Sequence, residues 1–187
     1  MEPKNVLYIW EKSCAGQPKA QAELYRLFAS KMYTICLRYA GNTGDADDIL
    51  QTGFIRVFTK SDRYDGKGSL EGWIRRIMIN SAIEHLRKNK QIFVSAEHLN
   101  DADKAKLIST DNDPTAYRDL MTIITSLPVG YRTVFNLYAI EGYTHKEIAE
   151  MLNISEGNSK SQLSRARSWL RERLKKMEEV ESCKKTI

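Results

Sequence analysis

The stretch THKEIAEMLNISEGNSKSQLSRARSWLRERL, Thr144 to Leu174, constrains the fold most, because two short helical patterns meet in it at a tight break. Thr144 followed three residues on by Glu147 forms a capping box, in which each side chain satisfies a backbone N–H left free at a helix start. Ile148, Ala149 and Leu152 then recur at the spacing of one buried helical face. Asn153 and Ile154 interrupt the pattern, and Ser155 is placed to cap a second helix. At about 100° per residue, Leu163, Ala166, Leu170 and Leu174 turn inward on that second helix. Asn158, Ser161, Arg165 and Trp169 project from the opposite side, flanked by Lys160, Gln162, Ser164 and Arg167. Such a face suits a DNA major groove, since Arg and Lys pair with phosphate or guanine and Asn or Gln with adenine. A solvated charged helix is the plainer reading, but it gives no reason for a capped preceding helix of this length. Trp169 suits the edge of an apolar core as readily as a phosphate contact.

The rest of the chain also reads as helix. Leu24, Leu27, Phe28, Met32, Ile35 and Tyr39 form an apolar stripe that Gly41, Asn42, Thr43 and Gly44 terminate. Asp45 is expected to cap a helix running to about Thr59, and a further helix is expected from about Leu70 to Asn89. Between them SDRYDGKGS is rich in turn residues and reads as a loop. From about Gln91 the pattern fails, in a stretch that carries Glu97, Asp101, Asp103, Asp111 and Asp113. Pro114 suits a new helix start, and Leu127 with Pro128 restarts another that ends near Gly142. No strand-like alternation of any length occurs. The expectation is therefore an all-α chain of two small helical domains, 1–92 and 114–187, joined by a flexible linker over 93–113.

Charge narrows the partners. A formal net charge of +5 over 187 residues and a sequence pI near 9.0 favour a polyanion, although the same charge would suit an acidic protein or membrane surface. No apolar run approaches a membrane span, and MEPKNVLYIWEK lacks the basic-then-apolar order of a secretion signal. A soluble cytoplasmic protein is expected. Cys14, Cys36 and Cys183 are widely spaced and read as reduced thiols, with Cys36 in the core. His85, His98 and His145 are equally scattered, so neither a metal, a cofactor nor a catalytic group is expected.

Two more surfaces stand out. In ADDILQTGFIRVF, Ala46, Ile49, Leu50, Gly53, Val57 and Phe58 share the inward side, which turns Asp48, Gln51, Thr52 and Ile55 outward with Asp47 alongside. An apolar centre with an acidic rim is the composition of a protein-docking face; the aspartates equally suit a helix N-terminus. In GSLEGWIRRIMINSAIEHLRKNK, Trp73, Ile74 and Ile77 point one way and Ile79, Ile83 and Leu86 another, as in a helix sandwiched between others. Arg75, Arg76, Asn80, Arg87, Lys88 and Lys90 leave through the remaining faces and suit a nucleic-acid backbone. Tyr64 and Trp73, aromatics beside cations, are of the kind that holds unstacked bases. Trp73 reads first as a core residue, and Tyr64, in a Gly-rich loop, as the freer of the two.

With these segments in order, the chain resembles a bacterial RNA polymerase sigma factor of the extracytoplasmic-function (ECF) type over nearly its whole length. ADDILQTGF is similar to the helix that docks on the polymerase clamp, and GSLEGWIRRIMINSAIEHLRK to the segment that melts and reads the minus-ten promoter element. SLPVGYRTVFNLYAIEGYTHKEIAEMLNISEGNSKSQLSRAR is similar to the reader of the minus-thirty-five element. The resemblance implies a non-enzymatic protein whose partners are core RNA polymerase, promoter DNA and an anti-sigma factor, with no small-molecule substrate and no membrane insertion. It implies polymerase docking by Asp47, Asp48, Gln51, Thr52 and Ile55. Contacts to the minus-ten element would come from Tyr64, Trp73, Arg75, Arg76, Asn80, Arg87 and Lys88, with Asn80 and the Tyr64 loop holding a flipped base. Asn158, Lys160, Ser161, Gln162, Ser164, Arg165 and Arg167 would contact the minus-thirty-five element. Two departures from the family pattern stand out: Thr52 where an acidic residue is usual, and Asn158 with Ser159 where a Thr-Val pair is usual. A stand-alone helix-turn-helix regulator and a helical adaptor for an acidic protein remain alternatives; the former would normally dimerise, and no dimer seam is legible.

Overall fold

The computed structural model describes residues 4–89 and 115–184, and every regular element among them is helical. Residues 90–114, which include Lys90, the expected linker and the Pro114 start, lie outside the described residues, as does the environment of Cys183. The chain divides into two compact units, Met1–Leu86 and Arg87–Ile187.

The first unit is built on α1 (Lys4–Cys14), α2 (Pro18–Ala40), α3 (Thr43–Thr59) and α4 (Leu70–Lys88). Pro18 opens α2, where its missing N–H costs nothing. Gly41 closes it with φ +80, a conformation that glycine adopts without a Cβ penalty, and its N–H donates to the Leu37 carbonyl. Leu24, Phe28, Met32, Ile35, Cys36 and Tyr39 are buried as one stripe. Leu27 is not part of it and is 47% exposed, because it sits roughly a third of a turn from the stripe's centre at about 100° per residue. Burial also pushes the Cys36 thiol up to about 12.

The cap of α3 is Asn42, not Asp45. Asn42 is extended, its side-chain oxygen accepts the Asp45 N–H at 2.8 Å, and its amide donates to the Asp45 carboxylate at 2.8 Å. Asp45 thus answers from inside the first turn, and the cap lies three residues earlier than expected. On the inner face Phe54 is buried and packs on Tyr25 with ring centroids 4.6 Å apart, whereas Phe58 is only half-buried. Ser61–Arg63 forms a short 3-10 turn within the expected loop. On α4, Leu70, Ile74, Met78, Ile79, Ala82, Ile83 and Leu86 are buried, and Trp73 and Ile77 lie at the margin. Arg56 of α3 reaches α4 through hydrogen bonds to the Ser81 hydroxyl and the Glu84 carboxylate.

In the second unit α5 (Thr115–Thr125) and α6 (Val129–Phe135) precede a single π-helical turn, Asn136–Ile140, before α7 (His145–Leu152) and α8 (Glu156–Lys184). Both α6 and α7 pack on α8, burying Val134, Leu137, Ile148, Leu152, Leu163 and Ala166. Arg132 is 5% exposed, and its guanidinium donates to the Thr125 carbonyl at 2.7 Å and the Leu127 carbonyl at 3.2 Å. It supplies donors to carbonyls that the end of α5 leaves open. Leu170 is half-buried and Leu174 is 45% exposed. The inward stripe predicted for α8 therefore fades before Leu174, because the 29-residue helix extends beyond the short helices packed on it.

Candidate protein-docking and nucleic-acid surfaces

The α7–α8 pair has the geometry expected of a helix-turn-helix. Thr144 accepts the Glu147 N–H at 3.3 Å, and the Glu147 carboxylate accepts the Thr144 N–H at 2.8 Å and its hydroxyl at 2.7 Å. The backbone N–H of Thr144, and then its hydroxyl, hold the Glu147 carboxyl below the usual carboxylate range. Asn153 ends α7 in the left-handed conformation, φ +53, which Asn tolerates better than most side chains. The Ser155 hydroxyl accepts the Asn158 N–H at 3.1 Å and starts α8.

Asn158, Lys160, Ser161, Ser164, Arg165 and Arg167 are all exposed on α8, and Gln162 is half-buried beside them. Gln162 donates to the Asn158 side-chain oxygen at 3.1 Å. Lys160 pairs with Glu156 at 2.7 Å one turn earlier, a contact that also lowers the Glu156 carboxyl. Arg167 lies 5.8 Å over the Tyr138 ring, and Tyr138 stacks on His145 at 4.5 Å. Trp169 is half-buried and carries the Arg173 guanidinium 5.0 Å from its ring. The seven expected residues thus occupy one stretch of a single helix. What the sequence reading missed is Ser159, fully buried, whose hydroxyl lies 2.9 Å from His145 Nδ1. Its spacing of four from Leu163 placed it on the inward stripe.

On α3 the five expected docking residues, Asp47, Asp48, Gln51, Thr52 and Ile55, are all exposed, and Ile55 reaches 63%. Asp48, Gln51, Thr52 and Ile55 follow the three- and four-residue spacing of one helical face. Behind them Gly53 lies against Met78, so closely that a Cβ there would overlap the Met78 sulfur.

The third group is assembled from separate elements. Arg76 and Asn80 are exposed one turn apart on α4, with Arg75 half-buried beside them. Tyr64, expected to be the freer of the two aromatics, is half-buried, as is Trp73. Its hydroxyl donates to the Gly68 carbonyl at 3.0 Å, and its ring packs 5.6 Å from Trp73 and 5.7 Å from Trp10. Trp10 also meets Trp73 at 5.5 Å. Trp10, at 7% exposure, is a residue that the linear pattern does not single out, since nothing local links it to Tyr64 or Trp73. Arg87 and Lys88 lie in the last turn of α4, past the boundary of the first unit.

Among the described residues no three His, Cys, Asp or Glu side chains converge as a metal site would need. No helix among them is long and apolar enough to cross a membrane.

Known proteins match both units. The family Sigma-70 region 2 matches residues 24–92, and Sigma-70, region 4 matches residues 117–170. The ECF RNA polymerase sigma factor SigE of Mycolicibacterium smegmatis is 33% identical over 161 residues, which cover 82% of this chain and 61% of that protein. The ECF RNA polymerase sigma factor SigW of Bacillus subtilis is 30% identical over 171 residues, 86% of this chain and 91% of SigW. Among solved structures, the sigma factor RpoE from Bartonella quintana, crystallised with the anti-sigma factor NepR, aligns with a TM-score of 0.54 at 19% identity. That alignment covers 82% of this chain and 96% of RpoE, and it is a likeness of fold.

Proposed function

The chain belongs to the ECF-type RNA polymerase sigma factors, and from that premise we propose how its three surfaces divide the work of promoter recognition. The exposed face of α3, with Ile55 at its centre and Asp47, Asp48, Gln51 and Thr52 around it, docks on the clamp of core RNA polymerase. Burying the isoleucine supplies attraction and the carboxylates fix orientation. The polar and basic face of α8 enters the major groove at the minus-thirty-five element. Arg165 and Lys160 are its cationic contacts, and Asn158, Ser161, Gln162, Ser164 and Arg167 complete the face.

Asn80, Tyr64 and Trp73 hold an unstacked base of the minus-ten element, with Arg75 and Arg76 beside the backbone and Arg87 and Lys88 extending the positive surface. Unstacking costs a few kcal/mol per step, which stacking and hydrogen bonding to the extruded base offset. Because both DNA contacts and the polymerase contact belong to one chain, each event makes the next intramolecular, so modest individual contacts yield specific recruitment. The protein itself makes and breaks no bond. It works in the cytoplasm, where polymerase and promoters are, and an anti-sigma factor opposes it by covering its docking surfaces.

The observation that carries this reading is the presence, in order on one chain, of matches to both sigma regions, each with an exposed candidate face. The test is transcription by purified core polymerase on a promoter library with and without the protein. New start sites are expected only in its presence. Failure to associate with core polymerase would overturn the assignment, whereas operator binding without transcription would favour a stand-alone helix-turn-helix regulator.

A further inference from the structure

We infer that Trp10, in the N-terminal helix and outside both matched regions, is a positioning residue for the minus-ten contact. Its ring fixes Tyr64 and Trp73 as a preformed platform for an unstacked base. The inference rests on the minus-ten role proposed for those two residues and adds the part that holds them. Trp10 meets Tyr64 at an interplanar angle of 89° and Trp73 at 67°, while Tyr64 and Trp73 are tilted by 51°. Both Trp10 contacts are therefore of the edge type that aromatic quadrupoles favour. Trp10 is buried, whereas Tyr64 and Trp73 are half-buried and keep part of their surface in solvent. The buried ring is thus the support and the other two are the available faces.

Tyr64 opens a short loop that includes Gly66 and Gly68, at φ +74 and +91; its N–H donates to the Ser61 carbonyl at 3.2 Å and its hydroxyl to the Gly68 carbonyl at 3.0 Å. Trp10 adds a contact from the ring to α1, a helix packed on α2. An aromatic side chain already fixed in its binding orientation loses less freedom when a base stacks on it, so the support appears as affinity. Asn80, exposed on α4 seven residues beyond Trp73, lies on a neighbouring part of the same helix surface.

The test uses holoenzyme assembled from core polymerase and the full chain, with a fluorescent single-stranded oligonucleotide carrying the minus-ten sequence of a promoter it transcribes. Trp10→Leu keeps an apolar side chain but loses the aromatic edges; Trp10→Phe keeps a ring. Loss of both edge contacts is expected to weaken oligonucleotide binding about tenfold in the Leu variant, with the Phe variant retaining most of it. Affinity for core polymerase and for minus-thirty-five duplex should be unchanged in both. A Leu variant with a lower melting temperature but unaltered oligonucleotide affinity would overturn the inference, because that is the signature of a merely structural tryptophan. Tyr64→Ala and Asn80→Ala separate the two levels: if they too leave binding intact, the minus-ten assignment itself fails. If they weaken binding and Trp10→Leu does not, only the positioning role falls.

Discussion

Single residues show where spacing is a sufficient guide and where it is not. Gly53 falls on the inward side of its helix by spacing alone, but only the packed structure shows the Met78 sulfur occupying the place of a Cβ. Gly53→Ala gains roughly 1 kcal/mol of helix propensity and loses about 1–3 kcal/mol to overpacking, so a net loss is expected in urea denaturation. Combined with Met78→Ala the cost should be less than additive, since the new methyl fills part of the cavity. Cys36 is legible as core from its position in an apolar pattern, and its consequence is chemical. Burial raises its thiol from 9.0 to about 12, so Cys36 stays unmodified by iodoacetamide at pH 8 until the protein unfolds. Exposed Cys14 should react first, with peptide mass mapping as the measurement. Because the folded value lies above the unfolded one, the contribution of Cys36 is complete below 9.0 and is lost as pH rises toward 12. Stability of Cys36→Ala should therefore decline less steeply over that window than that of the parent.

At the level of elements, capping chemistry was readable and cap identity only partly so. The Thr144–Glu147 box forms as its spacing dictates, because both partners are local and need no distant residue. Thr144→Ala should cost about 1 kcal/mol, measured by thermal unfolding. The depressed Glu147 carboxyl gives the sign of a pH effect: its contribution is present above the ordinary value of 4.5 and disappears as pH falls through the lower folded value. At α3 the expected cap was Asp45, but backbone geometry made Asn42 the cap by placing it in the extended conformation with Asp45 in the first turn. Ser159 illustrates the limit of polarity as a guide. A serine at an inward position is tolerable only with a partner, and His145, from the preceding helix, provides one. Ser159→Ala should cost about 1 kcal/mol, since the half-buried His145 ring loses its hydrogen bond. Equilibrium unfolding of the single and double variants with His145→Ala measures the coupling.

For the whole molecule, the faces proposed for docking and for DNA reading lie on different helices, so the two roles should be separable by mutation. Asp48→Arg should abolish association with core polymerase and transcription while leaving binding to minus-thirty-five duplex intact. Arg165→Ala should weaken promoter duplex binding and lower its salt slope by about one, with association to core unchanged; fluorescence anisotropy at several salt concentrations reads both. Much of this division was legible in the linear chain. Helical period, caps and turn residues are local properties, so they determined an all-α chain, the outward placement of Asp48, Gln51 and Ile55, and the exposed Arg165 face. Long-range packing decided the rest. The join of Trp10 to Tyr64 and Trp73 spans more than fifty residues, the burial of Arg132 depends on carbonyls at the end of another helix, and the exposure of Leu174 depends on where α6 and α7 stop. A periodic pattern says which side of a helix is apolar; only the neighbours that arrive in three dimensions decide how far that side is covered and which polar groups can be buried with it.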